Sequence, residues 1–481
     1  MRLDKYKQKI LDTYISTSKN ISINATAGSG KTTVLVELSK RITPYKKAIF
    51  LAFNKSIAEE LKTRLPEYVE SSTIHGLAFK ALFRHFNTIF SIDENCHFST
   101  AKKLLKIPSK IKPKMQNAYI FSLCDAVNLS RLNCAKTYAE IEKVMKDYGQ
   151  GVSKEFIDQI IELDDILDKE AIRPKSFTKI DFTDMLYLAA NFVSESKLPK
   201  YDIIMVDECQ DLNLLQIKFI QKILKPCGRI VSVGDIHQAI YGFQGSNVES
   251  FKILQNLPNT IQLPLSTTYR CPSLICDIAN TVFDSAILAQ PEAEEGCIIQ
   301  EGDFLNAEKG DYIICRNNLP LFKAYFSLIK EKKPAYILGS DFQQKIPKLL
   351  SKINDRTEIS DLLGETYQLL CDKGCKCPEK TDTFQSMKDK CDVLTLLFEI
   401  FGSKVGILNN IEDIFSPREN SIVLATVHKS KGLEADNVYL LDKELILSKY
   451  ANSDLELYNE QCLLFVAYTR AKKQLIFCKS K

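Results

Sequence analysis

The sequence predicts an α/β protein with two parallel-sheet cores, each interrupted by a helical insertion. Three observations predict it. Short apolar, strand-like runs alternate with helical patterns over the first 90 residues. That alternation gives way to helical sequence punctuated by Pro, Gly and Asn from about 88 to 174, then resumes. From about residue 258 a second series of strand-like runs follows, itself broken by a polar helical stretch at 342–417. Strands separated by helices imply crossover connections and parallel pairing.

In chain order, residues 5–17 read as a helix, Asn20–Ala25 as a strand, and Lys31 to Ile42 as a helix after a Gly-rich turn. Lys47–Phe53 and Val69–Ile74 read as strands around a helix at Lys55–Leu65. After the first insertion come a strand at Tyr201–Val206, a helix at Leu212–Leu224 and a strand at Arg229–Val233. Thr260–Leu265 opens the second core, which continues through Asp311–Cys315, Ala335–Leu338, Ser421–Thr426 and Asn437–Leu441. The expected boundaries are 1–87 with 175–257 for the first core, around an insertion at 88–174. The second core is 258–341 with 418–481, around a short insertion at 342–417.

Composition narrows the class. The 481 residues are 45% hydrophobic and 26% charged, as in soluble globular proteins of several domains. Neither a long apolar span nor a secretory leader is visible, so no membrane is expected and a cytoplasmic or nuclear compartment is. The 15 cysteines are an odd, scattered set and read as reduced thiols. Cys371, Cys375, Cys377 and Cys391 lack the paired C-x2-C knuckles of structural zinc, which favours free thiols. A net charge of +4 neither demands nor excludes nucleic acid. With 52 lysines and only 12 arginines, the place of each arginine carries weight. Six lysines between Lys102 and Lys114 form either a solvated face or a phosphate-contacting one. Tryptophan is absent, so base stacking falls to Phe and Tyr.

Three motifs carry chemistry. ATAGSGKTT at 25–33 lies between a strand and a helix. There the backbone of Ala27, Gly28, Ser29 and Gly30 can wrap phosphates, with Thr33 completing the loop. Lys31 would neutralise the β/γ-phosphates and Thr32 would ligate Mg2+. The usual leading Gly is Ala25. YDIIMVDECQD at 201–211 ends a buried strand in an acidic pair. Asp207 is placed to hold Mg2+ and Glu208 to orient and deprotonate a water. VGDIHQAIYGFQGS at 233–246 puts Gln238 beyond another strand end, where it could sense a γ-phosphate. Its Tyr241 and Phe243 are read either as stacking aromatics or as core.

With these and the later motifs, the sequence resembles the superfamily 1 helicases of the UvrD/Rep/PcrA type, which implies two RecA-like P-loop NTPase cores. The wording of LAFNKSIAEELKTRL (51–65) and STIHGLAFKAL (72–82) is similar to the F-box DNA helicase branch, without a preceding F-box. IDFTDMLYLAA (180–190) resembles the lead-in to the acidic strand. The resemblance implies that Gln8 reads adenine, Tyr269 stacks on it, Arg270 reaches the γ-phosphate and Glu434 holds the ribose. It makes Arg470 the arginine finger, acting when the cores close. Phe53, Tyr241 and Phe243 are then the stacking residues. Asn54, Thr73, His75, Thr426 and His428 contact backbone or sugar, the histidines having an alternative as turn or cap residues.

The implied function is an ATP- and Mg2+-dependent 3′–5′ DNA helicase or translocase on single strands and single-strand/duplex junctions. The alternative is a translocase that displaces proteins with little unwinding. The departures concern the coupling and the strand separation. Gln244 replaces an arginine common in its turn, the second insertion is short, and the sequence stops eleven residues after Arg470. From that end, no strand-separating hairpin and no nuclease module are expected.

Overall fold

A computed structural model describes residues 4–480 except 87, 173–176, 241, 243, 244, 246, 247, 285, 286, 448–450 and 452. The chain divides into two compact units, Met1–Thr267 and Thr268–Lys481.

The first unit is built on six parallel strands: β1 (Asn20–Ala25), β2 (Ala48–Ala52), β3 (Val69–Thr73), β4 (Tyr201–Val206), β5 (Leu224–Gly234) and β6 (Thr260–Leu265), in the order β3-β2-β4-β5-β1-β6. Alternation along each strand feeds two apolar layers. Ala48, Phe50 and Ala52 of β2 and Ile203 and Met205 of β4 face one layer, with Val34, Leu35 and Leu38 of the helix after β1. Ile49, Leu51, Ile204 and Val206 face the other, with helices Ile74–Phe86 and Phe182–Asn191. A sheet covered on both faces explains why these strands read as continuous apolar runs. Helices Cys96–Leu104, Gln116–Leu132, Tyr138–Asp147 and Lys154–Ala171 form the first insertion. It is joined to the core by the short parallel pair Ile89–Ile92 and Phe177–Ile180.

The second unit repeats the plan with β7 (Cys297–Gly302), β8 (Tyr312–Cys315), β9 (Ala335–Leu338), β10 (Ile422–Thr426), β11 (Ala435–Leu441) and β12 (Ala471–Cys478), all parallel, in the order β7-β12-β11-β8-β10-β9. Helices Ser340–Leu350, Ile359–Asp372, Asp382–Phe401 and Lys404–Phe415 form its insertion.

Four expectations are corrected. Thr260–Leu265 does not open the second core. It pairs with β1 over the full run from Asn20↔Thr260 to Ala25↔Leu265, closing the edge of the first sheet. The helix expected from Leu212 starts at Leu214, because Asn213 and Gln216 make a capping box there. Strands β7 and β12 have no counterpart in the sequence reading, since their sheet partners lie far away in sequence. The polar stretch at 342–417 is amphipathic: Leu350, Ile359, Leu394, Leu397 and Ile407 enter the same apolar cluster as Ile313, Ile337 and Leu424 of the sheet. Cys371 and Cys377 are exposed, Cys375 is half-buried and Cys391 is buried, and none of the four is in a disulfide. Among the described residues, no helix is long and apolar enough to cross a membrane.

Candidate nucleotide and single-strand sites

The loop after β1 takes its shape from two left-handed glycines, Gly28 (φ 69°) and Gly30 (φ 86°). Gly30 is the N-cap of helix Lys31–Ser39, so that helix presents uncapped N–H groups to the loop. Ser29 Oγ donates to the Thr26 carbonyl (2.8 Å), bracing the turn, and Ala27 is fully buried beneath it. Thr33 is half-buried on the first helical turn.

Four side chains named from the sequence meet here. Thr32 Oγ1 donates to Asp207 Oδ2 (2.5 Å), and Lys31 Nζ lies 3.4 Å from Glu208 Oε1. Burial and the neighbouring Glu208 carboxylate push the Asp207 carboxyl up to about 6, against the opposing pull of Thr32 and Lys31. A hydroxyl and a buried carboxylate side by side form an oxygen donor set suited to Mg2+, whose charge offsets the cost of ionising Asp207.

Glu208 is held in the left-handed region (φ 48°), a conformation that costs a non-glycine residue about 1–2 kcal/mol. Its N–H donates to Asp207 Oδ1 (2.9 Å), and its carbonyl accepts from Asp211 N (3.0 Å). Gln210 Nε2 donates to Glu208 Oε2 (2.6 Å), and Gln210 Oε1 accepts from Asp235 N (3.0 Å). Asp235 Oδ2 in turn accepts from Gln238 Nε2 (2.6 Å). Gln238 therefore joins Glu208 through Asp235 and Gln210, two residues to which the sequence reading gave no role. Gly234 makes this approach possible, because a Cβ there would lie 2.7 Å from both Gln210 Oε1 and Cys209 Sγ. Gln8 lies apart on the exposed face of helix Lys5–Ser16, its amide donating to Asp12 Oδ1 (2.8 Å).

Beside Asp207 a cavity of about 270 Å³ opens at the ends of β2 and β4, lined among others by Phe53, His75, Phe182, Asp207, Asn213 and Gln216. Phe53 is 48% exposed and Phe182 50%. His75 meets Phe182 edge-on at 6.3 Å, and burial holds its imidazole below the usual pKa, in the neutral form. Phe182 escaped the sequence reading. The available clue was an aromatic residue directly after the helix-capping Asp181, where an apolar face has not yet begun. Thr73 Oγ1 accepts from Gly76 N (3.1 Å). Asn54 is the N-cap of helix Lys55–Lys62, its side-chain oxygen accepting from Ile57 N (2.8 Å). Tyr241, Phe243 and Gln244 lie outside the described residues.

In the second unit, Tyr269 is half-buried and Arg270 Nε donates to Glu434 Oε2 (2.5 Å). The two residues expected to grip different parts of a nucleotide thus hold each other. Arg470 is 1% exposed, and its guanidinium donates to the Val466 and Leu433 carbonyls (both 3.0 Å) and to Thr469 Oγ1 (3.3 Å). A buried guanidinium requires such acceptors, so Arg470 here braces its own unit. Thr426 caps a short helix, accepting from Lys429 N. Burial, and after it the charge of Arg316, pushes the adjacent His428 down to about 3, so it offers a neutral imidazole. Arg316 itself is fixed by Glu460 (2.9 Å).

Comparison with known proteins agrees with this arrangement. Residues 6–259 match the UvrD/REP helicase N-terminal domain, and residues 378–481 match the UvrD-like helicase C-terminal domain. The chain is 27% identical to F-box DNA helicase protein 1 of Schizosaccharomyces pombe over 98% of its own length and 57% of that protein. It is 24% identical to F-box DNA helicase 1 of Gallus gallus, over 100% of the chain and 49% of that protein. With DNA helicase II of Escherichia coli it shares 24% identity, over 59% of the chain and 41% of that protein. The chain thus spans about half the length of the curated F-box relatives it matches. The glycine-shaped loop, the acidic strand end and these matches together place the chain in the UvrD/Rep helicase family.

Proposed function

We propose that the chain is an ATP-dependent DNA helicase that moves 3′ to 5′ along single-stranded DNA and opens duplex at single-strand/duplex junctions. The observation that carries this reading is the joint placement of Lys31, Thr32, Asp207 and Glu208, with an aromatic-lined cavity sharing Asp207 as part of its wall. Backbone N–H groups from Ala27 to Thr33 and the Lys31 ammonium bind the β/γ-phosphates. Thr32 and Asp207 hold Mg2+, which when bound supplies charge neutralisation at the phosphates. Glu208 accepts a proton from the attacking water, oriented by Gln210 and, through Asp235, by Gln238. Arg270 and Arg470 supply transition-state charge. Phe53 and Phe182 stack bases, while Thr73, His75, Thr426 and His428 contact sugar and phosphate without reading sequence. Tyr269, Glu434 and Gln8 hold the nucleoside.

The experiment is hydrolysis of ATP with and without single-stranded DNA, with tailed duplexes tested in parallel. DNA should stimulate hydrolysis, Lys31→Ala and Glu208→Gln should each abolish it, and 3′-tailed but not 5′-tailed duplex should be unwound. DNA-independent hydrolysis that survives both substitutions would falsify the reading. Displacement of bound protein with every duplex left intact would replace the helicase with a translocase.

A further inference from the structure

A second constellation of titratable groups lies away from the nucleotide loop, where the first insertion meets its core. Helix Cys96–Leu104 begins with Cys96 and His97, and helix Phe182–Asn191 carries Asp184 in its first turn behind the N-cap Asp181. The short pairing of Ile89–Ile92 with Phe177–Ile180 brings these two helix starts together. All four side chains are buried, His97 to 2% exposure. Asp184 Oδ2 lies 2.8 Å from His97 Nε2 and 3.8 Å from Cys96 Sγ, and the three ligand atoms lie within 4.8 Å of one another.

The surroundings are those of a metal site's outer shell. His97 Nδ1 is 3.4 Å from Asp181 Oδ2, the carboxylate–imidazole arrangement that orients a ligating histidine. Asp184 Oδ1 accepts from Arg131 (2.5 Å), fixing the carboxylate so that Oδ2 faces the cluster. Both ring nitrogens of His97 are buried without a well-aligned hydrogen bond, although carboxylate oxygens lie close by. The charges also leave room for a cation: among the described residues, Asp164, Asp168 and Asp184 pair with Arg131 and Lys136, and Asp181 accepts from the neutral Asn128 amide. A cavity of about 310 Å³ reaches the cluster from outside, lined by Cys96, His97, Asp184, Asp93, Thr100 and Lys179 among others.

We propose that Cys96, His97 and Asp184 form a binding site for a divalent ion of the zinc class, pinning the first insertion to its core. A thiolate, an imidazole and a carboxylate select such an ion over Mg2+ or Ca2+, which prefer oxygen donors throughout. Three protein ligands leave a fourth position open towards the cavity, where water completes the tetrahedron. Binding releases the Cys96 thiol proton to solvent, together with any proton on His97 Nε2. The competing occupant of the same space is that proton, which makes His97 an imidazolium between Asp181 and Asp184.

The test is titration of the full-length, chelator-stripped chain with Co2+ in the absence of nucleotide, followed by visible and near-ultraviolet absorption. The expected result is a thiolate-to-cobalt charge-transfer band that saturates at one band-forming Co2+ per chain and is displaced by Zn2+. Cys96→Ser should lose the band, and Asp181→Asn should weaken Co2+ binding about 10–100-fold. A triple Ser variant of Cys371, Cys375 and Cys377 should keep the band. Cobalt held by Thr32 and Asp207 gives no thiolate band and so does not mimic the result. Cys96→Ser is near-isosteric, and unchanged circular dichroism shows that the variant folds. A wild-type chain without the band, a band that survives Cys96→Ser, or one lost in the triple variant overturns the site and leaves the imidazolium in its place.

Discussion

The helices at 96–171 and those at 340–415 interrupt similar six-stranded parallel sheets, yet they are fastened by opposite means. In the second unit, Leu350, Leu394, Leu397 and Ile407 of the insertion share one apolar cluster with Ile313, Ile337, Leu424 and Ile476 of the sheet. In the first, among the described residues, the helices of the insertion give the cluster on the sheet half-buried Leu132, Cys134 and Ala171. The insertion's own aromatic residues pack on each other, as Tyr119 does on Phe156. What crosses the first junction is polar. Arg131 binds Asp184 of the core helix as well as Asp164 and Asp168 of its own insertion, and its guanidinium stacks on Tyr187 at 4.1 Å. Lys136 and Asp168 both meet the Tyr187 hydroxyl. An apolar seam is non-directional, and opening it exposes its whole area to water. A polar seam fixes one geometry through paired partners, and water can take over its groups one by one when it opens.

The largest effect should come from Arg131→Met, which leaves three carboxylates without their shared partner. Losing one side of a buried ion pair costs about 3–5 kcal/mol. Denaturant unfolding of the full chain measures it, and a loss under about 1 kcal/mol would remove the polar seam from the comparison. Leu394→Ala should cost about 2–5 kcal/mol through a cavity in the shared cluster. Hydrogen exchange should then rise together in helix Asp382–Phe401 and in β8 and β10. Exchange confined to the helix would mean that the second insertion has a core of its own.

The junctions also show what the sequence disclosed. The loop at 25–33 and the strand end at 201–211 are local, because adjacent residues form each one. Gln238 was legible from its place after a strand, but its route to Glu208 through Asp235 and Gln210 was not, because it depends on side-chain reach and on the missing Cβ of Gly234. The scarcity of arginine drew attention to Arg270 and Arg470. By the same argument Arg131 merited it, yet its partners at 164, 168 and 184 are scattered in sequence and share no motif. The sheet membership of Thr260–Leu265 was illegible for a related reason: a parallel register with Asn20–Ala25 is a long-range property that neither segment states alone.

Smaller effects refine the contrast. Asp389, on helix Asp382–Phe401 of the second insertion, accepts from the N–H groups of Asn318 and Leu319 and so caps a helix of its core. Asp389→Ala should cost about 0.5–2 kcal/mol, as cap removals do, read as a lowered unfolding midpoint. This is a polar tether in a junction otherwise described as apolar, so a larger loss would narrow the difference between the two insertions. The smallest change should follow Arg356→Ala, which removes an exposed pair with Glu399 (2.5 Å). A shift of roughly 0–1 kcal/mol is expected, vanishing in high salt.

The cavity at the ends of β2 and β4 has a mechanical consequence. Its wall contains Asp207 together with Phe53, His75 and Phe182. A carboxylate that changes rotamer on gaining or losing an ion therefore moves atoms next to the surface on which a base would rest. The first transmission of strain needs no lever arm, because the carboxylate and the aromatic surface share one wall. Asn213 and Gln216 line the same cavity, where they are placed to stiffen or soften this short link.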